Sequence, residues 1–116
     1  GVFSESIKMP FTSSTQTNSN GVINCAFGKI VTSSATAAAA TITLGFAPRK
    51  VRIINHTDRI VDEWLEGMAS AESLHTVAAG TQTLETTNGI AVSGNTFTLT
   101  ATTLVASKTF YWEAYA

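Results

Sequence analysis

The residues able to do chemistry are few and scattered: His56 and His75, Cys25, and the carboxylates Asp58, Asp62 and Glu63. A hydrolytic triad needs a nucleophile, a base and an orienting acid in contact, and neither histidine lies in a nucleophile-elbow pattern. Gly94-Asn95-Thr96 reads as a turn without a serine at its apex. Asp62 and Glu63 are neighbours on an expected strand, so they point to opposite faces and cannot cooperate as acid and base. His56, Asp58 and Asp62 form the nearest cluster of metal-ligand types. Two ligands from one turn do not make a zinc site, and calcium needs more oxygen donors. The reading is no catalytic residue, no metal and no cofactor, with Asp58 closing its turn by an Asx-type hydrogen bond and His56 in solvent. Cys25 is alone, which excludes an intrachain disulfide, and it is expected to pack as a small apolar residue.

The aromatic residues Trp64, Tyr111, Trp112 and Tyr115 are better placed to bind something. On a sheet face they could stack on sugar rings, but such residues more often fill a core or a subunit interface. Trp64, flanked by Asp62 and Glu66, is expected to be exposed over Lys50 and to serve an interface together with Tyr111 and Tyr115.

The element that must position these groups is a charged hairpin. Eight of the fifteen charged residues fall between Arg49 and Glu66, with Arg49, Lys50 and Arg52 first and Asp62, Glu63 and Glu66 last. Asn55-His56-Thr57-Asp58 separates the two blocks as a turn. A three-residue loop, 56–58, pairs Asn55 with Arg59, Arg52 with Asp62 and Lys50 with Trp64. It also gathers Val51, Ile53, Val61 and Leu65 on one face, with Arg49 near Glu63 at its margin. A four-residue loop would mix apolar with charged residues on both faces, so hydrophobic sorting favours the shorter one.

Elsewhere the chain is rich in Thr, Ser, Ala and Gly. Ile23, Cys25, Phe27 and Val31 alternate with small or polar residues as in a half-buried strand, and Ile42, Leu44 and Phe46 form a second strand ended by Pro48. Residues 70–74 could make one helical turn. Short β-prone stretches follow at 74–77, 81–85, 90–92, 96–100 and 108–115, separated by Ala79-Gly80, Asn88-Gly89 and Gly94-Asn95. In the last, Phe110, Trp112 and Ala114 alternate with Tyr111, Glu113 and Tyr115. The fold class is therefore all-β, an antiparallel β-sandwich or jelly-roll-like barrel over residues 21–116. Residues 1–20, polar from Thr12 to Asn20, read either as a disordered leader or, favoured by the apolar Val2, Phe3, Ile7, Met9 and Phe11, as an extended N-terminal arm that orders against a neighbouring subunit.

At 116 residues the chain is one domain of marginal core size, so an oligomer would stabilise it. A net charge of −1 with 13% charged residues gives no field to attract nucleic acid. No apolar run reaches ~18 residues, so no membrane span is expected. The start lacks the basic and apolar regions of a signal peptide, which points to synthesis in a bacterial-type or other cytoplasm and makes Asn55-His56-Thr57 a chance sequon.

The run Gly45-Phe46-Ala47-Pro48-Arg49-Lys50-Val51-Arg52-Ile53-Ile54-Asn55-His56-Thr57-Asp58-Arg59, then Glu63-Trp64 and Glu66-Gly67-Met68, resembles small virion proteins of tailed bacteriophages. Thr76-Val77-Ala78-Ala79-Gly80-Thr81 and Ala106-Ser107-Lys108-Thr109-Phe110-Tyr111-Trp112 are similar to the same group. The resemblance spans roughly residues 42–113 and rests on packing and turn motifs. It implies a head decoration or cement protein on the capsid surface of the virion. Its partners would be the major capsid protein and further copies of itself, as trimers or dimers. The alternative is a host-surface or glycan-binding β-sandwich module of a tail fibre or of the capsid exterior, using Trp64, Trp112 or Tyr115. A self-assembling shell protein is the weaker third reading at this length.

Overall fold

The computed structural model describes residues 24–34 and 37–116. The arm and its apolar residues Val2, Phe3, Ile7, Met9 and Phe11 lie outside the described residues. Among the described residues nine strands form two antiparallel sheets packed on one core: β1 (Cys25–Val31), β2 (Ala40–Thr43), β3 (Lys50–Asn55), β4 (Ile60–Leu65), β5 (Ser73–Thr76), β6 (Gln82–Glu85), β7 (Ile90–Ser93), β8 (Thr96–Leu99) and β9 (Thr109–Tyr115). The large sheet runs β1-β9-β3-β4-β5-β6 and the small one β2-β8-β7. This is the all-β sandwich that the alternation implies. Among the described residues there is no helix, and none long and apolar enough to cross a membrane.

The inner faces supply the core. Val51, Ile53, Trp64, Phe110 and Ala114 from the large sheet meet Ile90, Phe97 and Leu99 from the small one, with Leu44 and Leu104 closing the ends. Phe97 stands edge-on to Trp112 with ring centroids 5.2 Å apart, a favoured aromatic geometry. The outer face of the small sheet is polar, and Thr41 and Thr98 share a 2.9 Å hydrogen bond across it.

Three expectations are corrected. In β1, Phe27 and Val31 point outward, 66% and 64% exposed, with Cys25 exposed beside them, while Ala26, Gly28 and Ile30 face the core. The inward side at Gly28 is filled by the Trp112 indole, which a side chain there would overlap. The strand therefore turns its small residues in.

The hairpin β3–β4 has a four-residue loop, pairing Asn55 with Ile60, Arg52 with Glu63, Val51 with Trp64 and Lys50 with Leu65. Asn55 is buried and its Oδ1 accepts the Asp58 N–H at 2.9 Å, while Arg59 takes a positive φ of 58° to complete the turn. Asn55, rather than Asp58, thus makes the Asx-type closure. Asp62 and Trp64 consequently face inward, and Val61 and Leu65 outward. Glu63 pairs with Arg52 and not with Arg49.

Residues 70–71 form a non-helical turn, because Ala71 has φ 73°. Glu72 Oε1 accepts the Ala69 N–H at 2.9 Å, and Ser73 already begins β5.

The β6–β7 loop is held by one carboxylate. Glu85 Oε2 accepts the N–H of Asn88 at 3.0 Å and both the N–H and hydroxyl of Thr87 at 3.2 Å. These donors, that of Asn88 foremost, hold the Glu85 pKa below its ordinary 4.5. A depressed carboxylate contributes stability that is present above the unfolded value and lost as pH falls through the folded one. Glu85→Gln is therefore expected to show a shallower acid-induced loss of stability than wild type below pH 4.5, read as urea midpoints against pH. Parallel acid branches for the two proteins would contradict this role.

Candidate functional site

The strand registers assemble the outer face of the large sheet into rows of side chains. The middle row runs Phe27, Glu113, Arg52, Glu63, Leu74, Leu84 across all six strands. On one side lies Cys25, Tyr115, Lys50, Leu65, and on the other Lys29, Tyr111, Ile54, Val61, Thr76, Gln82. Among the described residues, the exposed large apolar side chains are Phe27, Val31, Leu65, Leu74, Leu84 and Tyr111. All six are on this face, and no described strand covers it.

The charges in the middle are compensated internally. Arg52 lies 3.7 Å from Glu63 and 3.8 Å from Glu113. The Lys29 and Lys50 ammonium groups each lie 5.8 Å from a ring centroid, of Tyr111 and Tyr115 respectively. Tyr115 donates its hydroxyl proton to Glu113 Oε1 at 2.8 Å, and this bond raises the phenol pKa above its ordinary 10.0. The two Arg52 ion pairs, about a third exposed, contribute on the order of 0 to 1 kcal/mol each. Their effect is orientation: they hold long side chains flat on the sheet between two apolar flanks.

Of the expected interface residues, Tyr111 and Tyr115 lie on this face, and Trp64 does not. Trp64 is 7% exposed and its indole N–H donates to the Ala69 carbonyl at 3.1 Å. The corrected register accounts for this, since Trp64 is opposite inward-facing Val51. Lys50 accordingly sits over Tyr115 rather than Trp64. Phe27, Leu65, Leu74 and Leu84 were not anticipated as binding residues. The parity that puts Arg52 and Glu113 outward would have identified them once the strand pairing was known.

A second polar cluster lies inside, at one end of the sandwich. Asp62, 5% exposed, accepts the Ser73 hydroxyl at 2.9 Å and is hydrogen-bonded to His75 Nδ1 at 2.9 Å through the same oxygen, Oδ1. The serine therefore bonds the carboxylate and not the imidazole, so no relay activates it as a nucleophile. Asp62 and His75 border a cavity of about 140 Å³ shared with Asn55, Asp58, Glu85 and Asn88. Asp58 is bound there by Lys108 Nζ at 3.1 Å and Asn55 Nδ2 at 3.1 Å. Each of the three carboxylates is already engaged by donors of the chain, and the described residues hold no group of three or more His, Cys, Asp and Glu arranged to bind a metal. His56, expected in solvent, is exposed and edge-on to Tyr111 at 5.6 Å. The cavity cluster joins β4 to β5.

Comparisons of the chain with protein-family models, with curated proteins and with solved structures find no match.

Proposed function

We propose that the chain is a non-catalytic assembly protein that docks on a protein shell through the outer face of its large sheet. The observation that carries this reading is the segregation of every exposed large apolar side chain among the described residues onto that face. The opposite face, on the small sheet, presents Thr41, Thr43, Thr98 and Ser93 instead. Single exposed apolar residues are ordinary, but their concentration on one side marks an interaction surface. Strand spacing and rise make the face about 25 Å by 20 Å in plan, or ~500 Å². That is a large share of the ~800 Å² which each partner contributes to a standard interface.

Taken with the resemblance of roughly residues 42–113 to tailed-phage virion proteins, the shell is a phage head and the partner its major capsid protein. The chain would then act as a decoration or cement protein. Affinity for assembled neighbours over loose ones stabilises the assembled state by mass action, which resists the outward pressure of packaged DNA. The glycan-binding alternative is less well supported, because Trp64 and Trp112 pack inward and leave Phe27, Tyr111 and Tyr115 as the aromatics of the face.

The test is occupancy on purified undecorated heads. Leu65→Asp and Leu84→Asp each introduce a charge on the apolar flanks without touching the core. Each is expected to weaken head binding about tenfold, equivalent to ~1.4 kcal/mol, while Thr43→Asp on the small sheet leaves it unchanged. Equal occupancy for all four proteins would rule the docking face out.

A further inference from the structure

The large sheet ends in two very different edges. At one, β6 is four residues long and carries the Glu85 loop anchor. At the other, β1 is seven residues long, contains no proline, carries one charge, Lys29, and pairs with β9 without a bulge over its whole length. Natural sheets usually blunt such an edge with charge, proline, a bulge or brevity, because its unpaired N–H and C=O groups are a template for another strand.

The hydrogen-bond phase fixes which groups are on offer. Ala116 N–H donates to the Asn24 carbonyl at 2.8 Å and Thr32 N–H to the Lys108 carbonyl at 2.9 Å. Even-numbered residues of β1 therefore bond to β9, and the alternation of an antiparallel ladder turns the N–H and C=O of Cys25, Phe27, Lys29 and Val31 toward the free edge. Among the described residues nothing pairs with them.

We propose that this edge pairs antiparallel with β1 of a second copy of the chain, about a two-fold axis beside Gly28. In this register Cys25 lies opposite Val31 of the second copy, and Phe27 opposite Lys29 of the second copy. All four outward residues then pair, and the lysines face phenyl rings instead of each other. The side chains are self-complementary, which a two-fold interface requires. Phe27 lies against the aliphatic stem of Lys29, and Cys25 against Val31. Gly28 meets Gly28 at the axis, where the absence of side chains lets the backbones approach. The two large sheets become one continuous sheet, and the outer faces join into a single surface of twice the width. The pairing goes beyond docking on a shell and is tested without one.

Residues opposite each other in a hydrogen-bonded pair have Cα atoms about 5.5 Å apart, within the ~4.4–6.8 Å span of a disulfide, and Cβ atoms about 5 Å apart, which a shift of roughly 1 Å between the two edge strands brings to bonding distance. Val31→Cys therefore places a thiol opposite the native Cys25 of the second copy, twice per dimer. Within one chain, positions 25 and 31 are about 20 Å apart along an extended strand and cannot join. Incubated with oxidised glutathione, which takes up the electrons and protons of the two thiols, V31C is expected to become a covalent dimer, reversed by dithiothreitol. The rate should exceed that of wild type roughly 100-fold, because pairing raises the effective thiol concentration to ~mM. Wild type and the double variant C25S/V31C, each with one cysteine, should remain uncross-linked, and wild type should sediment as a dimer. Sedimentation of wild type as a monomer, or cross-linking of V31C no faster than of C25S/V31C, would overturn the pairing. Either failure is read on the isolated protein and leaves the head-binding result of Leu65→Asp and Leu84→Asp to stand separately.

Discussion

Ser73→Ala combined with His75→Leu is expected to destabilise the fold by about 3 kcal/mol, measured as the loss of unfolding free energy in urea at pH 7. Asp62 is the reason. Its carboxylate is almost fully buried on the inner side of β4, and the Ser73 hydroxyl and His75 ring both satisfy one of its oxygens at 2.9 Å. Removing both donors leaves the Asp62 carboxylate with neither of these hydrogen bonds. Breaking a buried pair in this way typically costs about 3–5 kcal/mol, because the desolvation penalty remains while the compensation is gone. The lower end applies, since the His75 side chain is 31% exposed and the neighbouring cavity can admit water to the site. Each single variant should cost less, about 1–3 kcal/mol. The decisive comparison is the triple variant Asp62→Leu, Ser73→Ala, His75→Leu. Exchanging a whole buried polar set for apolar groups is often close to neutral, so the triple variant should regain most of the loss. If it is less stable than the double variant, the cluster contributes through something other than satisfying Asp62.

That cluster also explains which parts of the sequence could be read directly. Alternation placed Phe110, Trp112 and Ala114 on one side of β9 and Tyr111, Glu113 and Tyr115 on the other, because each strand residue reports its own face. The same rule misassigned β1. Phe27 and Val31 are the larger apolar residues, yet the interior takes Ala26, Gly28 and Ile30, since Trp112 from a strand more than eighty residues later already occupies the space. The hairpin failed for a related reason. Hydrophobic sorting kept Asp62 out of the core, and only Ser73 and His75 on the next strand make its burial tolerable. The local signal that selects the longer loop was nonetheless present in Asn55, whose side chain can accept the N–H of the residue three positions on. The apolar outer face depends on six strands sharing one register, so no single segment displays it. Tyr111 and Tyr115 were legible one strand at a time, whereas the line from Phe27 to Leu84 exists only after the sheet is assembled.

Gly28→Val is expected to destabilise the fold by up to about 3 kcal/mol and to free β1 before the rest of the sheet. A Cβ at this position would overlap the indole Nε1, Cε2 and Cζ2 atoms of Trp112. The ring cannot withdraw cheaply, because its other side is packed edge-on against fully buried Phe97 in the small sheet. Either the indole leaves the core, or β1 separates from β9. The second path is the easier one, since β1 is an edge strand held on one side only among the described residues. Amide exchange should therefore accelerate first at Ala26, Gly28 and Ile30, whose N–H groups point toward β9, while the core strand β3 stays protected until global unfolding. Shrinking the ring tests the cause: in Gly28→Val with Trp112→Leu, the two costs should sum to less than their separate values by more than the ~0.5 kcal/mol scatter of independent sites. Strict additivity would mean that Gly28 is required for something other than room for the indole. The same variant bears on the proposed β1 pairing, because an edge strand that has left β9 cannot present Cys25, Phe27, Lys29 and Val31 in phase to a second copy. Introduced into the Val31→Cys background, Gly28→Val should slow disulfide formation toward the rate of the single-cysteine protein.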